Sequence, residues 1–441
     1  MYQEQLVIEK VKSLLPKDFT IETIRQSSNR PCPDAIISYK YCPIALVEIK
    51  TSLPNKQIIS HAAEVLRSYN KVVNASDLVI ITEDQAIVIP NEGQFDYGLN
   101  LLTPLENYIH SMVHQDSQFK QVDVDKATLI KTYLIEAFEN SYVQNEKFQR
   151  YVEGIDLPYL IEHVTEIRDG SFVLDSSFEQ KLMFELIGTV ENEVFCRYTS
   201  ISSCIRILQD QKASVCSIVC MNDKSECYYV DQYLNGEKGE RLLSDMSDAE
   251  VEDLNQYFIM SCSEIDRYDK LTMWRMYGDE AKGVCIEYHI NDILKSDSKF
   301  FLAPVSYGKK DGIHPELDFL KRLGNGTQIK IILQNMNLWK HFFKPYDYID
   351  ENEIRLLYQD SDKTKYKWII SGDGVLCPVI EFCIEQGKNM FPLTIEAITL
   401  GPKCRERHTN VAQLKLFAKE KKIESYNGKI GFKLSKIDNY R

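Results

Sequence analysis

Residues 30–52 read RPCPDAIISYKYCPIALVEIKTS. Two β-type runs stand in this stretch, Ala35–Tyr39 and Ile44–Ile49. Glu48 and Lys50 are two apart, so a strand projects both from one face and turns Ile49 to the opposite, apolar side. Asp34 opens the first run, and an antiparallel hairpin closed at Tyr41–Pro43 sets it opposite Glu48 and Lys50. Two carboxylates and one amine at a strand end suit metal-dependent phosphodiester hydrolysis. Asp34 and Glu48, with the carbonyl of Ile49, form an oxygen set for a hard Mg²⁺ ion, or Mn²⁺ in its place. Such an ion makes hydroxide available near neutral pH and offsets charge building on the phosphate. Lys50 then orients or deprotonates the attacking water and stabilises the transition state. Glu4, on the preceding helix, is a further candidate carboxylate. The plainer alternative is an exposed Glu48–Lys50 strand pair with Asp34 starting a turn.

Working outward, Leu6, Val7, Val11, Leu14 and Leu15 have helical spacing and stop at Pro16. Phe19–Ile24 reads as a strand before the hairpin. Ile58, Ile59, Ala62, Ala63, Leu66 and Tyr69 share one helical face after it, and Leu78–Thr82 and Ala86–Pro90 read as two more strands. This alternation predicts an α/β domain whose last strands lie beyond a crossover helix. The hairpin words and the element order resemble the PD-(D/E)XK nuclease superfamily, in particular the N-terminal domains of type I restriction subunits. The resemblance covers residues 1–95. It implies an αβββαβ restriction-endonuclease-like core, with catalysis by Asp34, Glu48 and Lys50 and metal binding by Asp34, Glu48, Ile49 and Glu4. Relatives often carry Gln-xxx-Tyr on the following helix, whereas Glu64 and Tyr69 stand here at another spacing.

The 441 residues are 44% apolar and 27% charged, the balance of an ordered globular chain rather than a disordered one. Net charge is −13, which speaks against a global nucleic-acid footprint. Residues 1–95 hold 11 acids and 10 bases, so nucleic acid would be handled there, through a local patch. Glu4 and Glu9 interrupt the start, which therefore does not read as a signal peptide, and no apolar run reaches the ~18 residues of a membrane span. The 12 Cys include no CxxC pair; Cys216, Cys220 and Cys227 come closest to a zinc cluster, against free thiols in a reducing cytoplasm. The expected location is cytoplasmic, with no membrane partner.

The pattern weakens between Asn91 and Asp123. Lys126–Phe148 and Phe178–Ile187 look helical, the latter opened by a Ser176/Glu179 capping box and stopped at Gly188. Residues 96–190 are accordingly expected to be a linker and helical connector, and 191–441 a larger α+β domain. That last region carries Phe195-Cys196-Arg197-Tyr198-Thr199-Ser200, Asn222-Asp223-Lys224 with Glu226, Trp274-Arg275-Met276-Tyr277-Gly278, Lys282-Gly283-Val284-Cys285, Glu351-Asn352-Glu353-Ile354-Arg355 and Gly401-Pro402-Lys403. In this order the words resemble a bacterial domain of unknown function, the family numbered 2971; Lys224 stands where relatives usually carry Pro.

The layout is also similar to ADP-ribosyltransferases. That likeness implies NAD as a cofactor, Arg197 as its anchor with neighbouring Tyr198, Trp274 or Tyr277 as a stacking wall, and Glu353 as the catalytic acid. The plainer reading pairs Arg197 with Glu353 as buried ions, packs Trp274 and Tyr277 into a core, and uses Asn222, Asp223 and Glu226 as helix caps. The combination suggests a defence or toxin-type effector. Its primary activity would be Mg²⁺-dependent cleavage of nucleic acid, DNA ahead of RNA, with the C-terminal domain as a second activity or a sensor. A phage-derived or companion protein would be its further partner. The alternatives are an NAD-consuming transferase with a merely binding N-terminal domain, and a non-enzymatic sensing protein.

Overall fold

A computed structural model describes residues 2–17, 19–24, 33–39, 42–51, 56–73, 75, 77–90, 102–116, 120–168, 170–221, 228–236, 251, 254–326, 328–360, 366–370, 374–385 and 387–437. Asn222, Asp223, Lys224, Glu226 and Cys227 lie outside them, as does Tyr41 of the expected hairpin turn. The chain is an α/β protein built on several separate sheets.

The first sheet uses α1 (Tyr2–Leu14), β1 (Phe19–Thr23), β2 (Ala35–Tyr39), β3 (Cys42–Ile49), α2 (Lys56–Val73), β4 (Asp77–Ile81), β5 (Gln85–Ile89), β6 (Leu102–Pro104) and α3 (Leu105–Asp116). Its six strands lie in sequence order. β1, β2 and β3 form an antiparallel meander, and β4 lies parallel to β3 because α2 carries the chain back across the sheet. Alternation sorts the two faces. Ala35, Ile37, Ala45, Val47 and Ile49 pack under Val7 and Val11 of α1 and Tyr108 and Ile109 of α3. Leu46, Leu78 and Ile80 pack under Ala62, Ala63 and Leu66 of α2. Asp34, Glu48 and Lys50 therefore stand on the α2 side.

The segment expected as a connector is not a spacer. It contains β7 (Lys120–Gln121), α4 (Val124–Glu139), α5 (Glu146–Gly154), α6 (Leu157–His163), β8 (Val164–Arg168), β9 (Ser171–Leu174) and α7 (Ser176–Ile187). Ile130, Leu134, Phe148, Phe178 and Leu182 share one apolar core with Leu317, Phe319, Trp339 and Phe342, and β9 pairs with Lys330–Ile332. Its apolar faces pack on one another and also on residues more than a hundred positions downstream, which local sequence does not reveal. The single helix expected over 126–148 is two, because Asn145 caps a new helix by accepting from the Lys147 and Phe148 amides. The cap of α7 is Asp175, accepting from Phe178 N at 2.9 Å, rather than Ser176. Glu179 is instead buried, accepting from Gln334 N at 2.6 Å and Asn335 N at 2.8 Å.

The largest sheet has ten strands and includes β10 (Val194–Thr199), β11 (Lys212–Ser217) and β12 (Tyr257–Glu264). It continues through β13 (Val284–Ile290), β14 (Phe300–Pro304) and, beyond the small strands β15 (Ser306–Tyr307), β16 (Lys330–Ile332) and β17 (Phe343–Lys344), β18 (Glu353–Gln359). β19 (Lys367–Ile370), β20 (Leu376–Cys383) and β21 (Leu393–Leu400) extend it, with Gly431–Leu434 on its far edge. Two of its glycines are required by close approach. A Cβ on Gly283 would meet Thr199 O at 2.2 Å, and one on Gly401 would meet Ala281 O at 2.4 Å. Gly283→Ala is thus expected to cost about 3 kcal/mol, since backbone rather than a mobile side chain must yield. A melting temperature within two degrees of the parent would contradict this.

Candidate functional site

Asp34 lies just before β2, where its N–H bonds to Val47 O at 2.9 Å. Its carboxylate accepts from Ile49 N at 2.6 Å, across the meander. Lys50 Nζ stands 2.6 Å from Glu48 Oε1. The other Glu48 oxygen, Oε2, is buried and has no hydrogen-bond partner among the described residues. Burial pushes both carboxyls above their ordinary range. The Ile49 amide partly offsets this at Asp34, and the Lys50 hydrogen bond partly offsets it at Glu48. Asp34 also raises Glu48, and Glu4 raises Asp34, so negative charge is concentrated here beyond what Lys50 neutralises.

Ile49 contributes through its backbone, while its side chain lies in the apolar layer under α1 and α3. Glu4 is exposed in the first turn of α1, close enough to act on Asp34. His61 of α2 also acts electrostatically on Glu48. It was not among the sequence candidates because helical periodicity marks only the apolar face of α2.

An orphaned, buried carboxylate oxygen beside a second carboxylate fits a divalent ion. Asp34 and Glu48 would hold it, and Mg²⁺ keeps several waters, so two protein carboxylates suffice. No larger set of His, Cys, Asp and Glu with metal-binding placement occurs among the described residues. When bound, such an ion supplies a Lewis acid and an activated water. The chain's own part is to fix Asp34 through the Ile49 amide and to aim the Lys50 ammonium along the same strand face.

The second set of candidates does not converge. Tyr198 and Trp274 pack edge-on at 4.8 Å, in a small core with Cys196, Met273 and Cys285. Arg197, one residue along β10, points to the opposite face of the sheet, beside Phe195. Trp274 is fully buried and its Nε1 donates to Asp269 Oδ1 at 2.8 Å, so it presents no open ring for stacking. Tyr198 OH donates to Arg267 O at 2.8 Å. The stacking wall expected of Trp274 is therefore corrected to core packing, and Tyr198, expected beside the anchor, lies in the same core.

Glu353 is also placed differently from expectation. It does pair with an arginine, but with Arg355, two residues on, at 2.9 Å through both oxygens, and not with Arg197. Lys344 Nζ lies 2.8 Å from Glu353 Oε2 and 2.9 Å from Glu351 Oε2. Tyr277 OH donates to the other Glu351 oxygen, and Tyr307 OH accepts from Glu353 N at 2.9 Å. Glu353 and Arg355 side chains are 3% and 1% exposed. Burial alone would push the Glu353 carboxyl up, but the Arg355 and Lys344 charges together outweigh it and hold it well below the ordinary range. A carboxylate so enclosed cannot reach a ribose. The arrangement is two acids balanced by two bases, with tyrosines closing its sides.

Residues 273–356 match the model of DUF2971, described as a protein of unknown function. No curated protein matches the chain, and no solved structure does. The DUF2971 segment begins in the Trp274 helix and ends within β18. It thus contains Gly283, Tyr277 and the whole Lys344–Glu351–Glu353–Arg355 cluster. Of the words on which the DUF2971 likeness rested, Gly283, Trp274 and the Glu353–Arg355 pair have a packing role in this structure. No helix among the described residues is long and apolar enough to cross a membrane.

Proposed function

We propose that the N-terminal sheet carries a Mg²⁺-dependent nuclease site of the PD-(D/E)XK type. The observation that carries this reading is one end of two neighbouring interior strands, β2 and β3. There Asp34, Glu48 and Lys50 stand on the α2 side, with the Glu48 Oε2 atom buried and unpartnered among the described residues. The meander, crossover helix and parallel fourth strand support it, since that order brings the three groups to one strand end. In this reading Asp34 and Glu48 bind the ion and Lys50 handles the attacking water. Nucleic acid, DNA ahead of RNA, is the substrate. The region from residue 191 onward is a sensor or a second activity, consistent with a defence or toxin-type effector.

The test is cleavage of plasmid DNA and of a long RNA by the full chain, with Mg²⁺ or Mn²⁺ and with EDTA. Cleavage of neither in the presence of metal, at any protein concentration that remains soluble, would reject the reading.

Metal binding is checked separately by melting. Folded-state pKa values of Asp34 and Glu48 lie above the unfolded ones, so each group favours folding when protonated. That contribution fades as pH rises through the ordinary carboxylate range toward the raised value. At neutral pH the ionised pair therefore destabilises the apo protein. Mg²⁺ is expected to raise the melting temperature of the parent. Glu48→Gln is expected to melt higher than the parent without metal and to lose the Mg²⁺ response. A parent indifferent to Mg²⁺ would remove the ion from this site.

A further inference from the structure

The twelve thiols are not equivalent. Cys216 lies on β11 and Cys377 on the antiparallel neighbour β20, with Cys216 opposite Val379. Cys377 is two positions from Val379, so it shares the Cys216 face as a diagonal neighbour. The two thiols interact through a hydrogen bond that favours the proton on Cys377, whose S–H is shared with Pro378 O, 3.4 Å from its sulfur; Cys220 also bonds Cys377, and its sulfur lies 3.5 Å from Leu376 O. That hydrogen bond favours the Cys216 thiolate, and the charges of Arg197 and Arg206 add to it against the cost of burial. Cys216 and Cys220 are only half-buried. All three are free thiols.

The same sheet supplies a contrast. Cys196 and Cys285 are hydrogen-bonded too, yet both are fully buried, and burial pushes the Cys285 thiol up. Adjacency alone therefore does not make a reactive pair; access and positive charge do.

We propose that Cys216 and Cys377 are a peroxide-responsive dithiol that closes to a disulfide at the end of the large sheet. The Cys216 thiolate attacks one oxygen of hydrogen peroxide. An S–O bond forms, the O–O bond breaks, and hydroxide leaves to be protonated to water. The Cys377 sulfur then attacks the sulfenic sulfur. An S–S bond forms, the S–O bond breaks, and the leaving hydroxyl departs as water with the Cys377 proton. Two thiols lose two electrons and one peroxide becomes two waters. The β11–β20 pairing ends at Cys216–Val379, so residues 376–378 have no ladder partner on β11. That end of β20 is held by β19 instead, with Cys377 opposite Ile369 and Leu376 opposite Ile370, so closing the diagonal separation to disulfide length requires this end of β20 to shift with β19. The oxidised form would staple β20 to β11.

The full-length chain, reduced and then exposed to a modest excess of hydrogen peroxide, is alkylated and peptide-mapped by mass. A Cys216–Cys377 cross-linked peptide, two hydrogens lighter than the sum of its parts, is expected. Before oxidation, Cys216 should alkylate at neutral pH roughly tenfold faster than Cys383, the half-buried thiol at the far end of β20. In Cys377→Ser the Cys216 sulfenic acid should persist and be captured by dimedone. Cys216 reacting no faster than Cys383, or a cross-link from Cys377 to Cys220 instead, would overturn the assignment. No step depends on the nuclease reading.

Discussion

Lys50→Ala is expected to lower Mg²⁺-dependent cleavage by about 10²–10⁴-fold, the range a positioned acid–base group contributes. The Lys50 ammonium is 2.6 Å from Glu48 and shares its strand face, so no other described cation replaces it along β3. Asp34 and Glu48 remain, and metal binding measured by the melting shift should survive. That separation distinguishes loss of catalysis from loss of the site. Lys50 is about a third exposed, so its removal should shift the metal-free melting temperature only slightly. Undiminished cleavage by a folded Lys50→Ala protein would take these residues out of the reaction.

The largest expected effect on stability lies elsewhere. Arg355→Ala should destabilise the protein by ~3–5 kcal/mol, the cost of stranding a buried charge. Arg355 is fully buried, bonds both oxygens of Glu353 and also donates to His341 O. Without it, Glu351 and Glu353 face Lys344 alone. Removing both members, as in Glu353→Met with Arg355→Met, leaves Lys344 and Glu351 balanced and should recover part of the loss. The folded-state pKa of Glu353 is depressed, so its stabilising contribution is present above the ordinary carboxylate value. It is lost as pH falls through the folded value. Arg355→Ala should therefore narrow its stability gap to the parent under acid conditions. Chemical denaturation of the three proteins at neutral and acid pH measures this, and equal midpoints for Arg355→Ala and its parent would refute the buried-pair account.

Much of the N-terminal sheet was legible from periodicity. Ala35–Tyr39 is a strand to the residue, and the α2 face begun at Ile58 and ended at Tyr69 falls inside Lys56–Val73. Period-two and period-3.6 patterns work there because each element buries a single face against a near neighbour. The connector reading failed for the complementary reason. Phe148 packs edge-on against Phe319 and Phe184 against Trp339, and no local pattern reports so distant a contact. Arg197 and Tyr198 show the same gap: adjacent residues on a strand necessarily part to opposite faces, so both could not line one cofactor pocket.

Glu48-Ile49-Lys50 and Glu353-Ile354-Arg355 are the same word, an acid and a base two apart on a strand. By itself the sequence determined that Glu48 and Lys50 would share a strand face, because strand geometry has a period of two. For Glu353 it pointed to Arg197 as the partner and not to Arg355. Only the tertiary structure decided their different fates. The first sits at a strand end beside Asp34, partly open, with a carboxylate oxygen left over. The second is buried, because the start of β18 is covered by Lys344, Tyr307 and His341, whereas Lys50 stands just past the end of β3 and is about a third exposed.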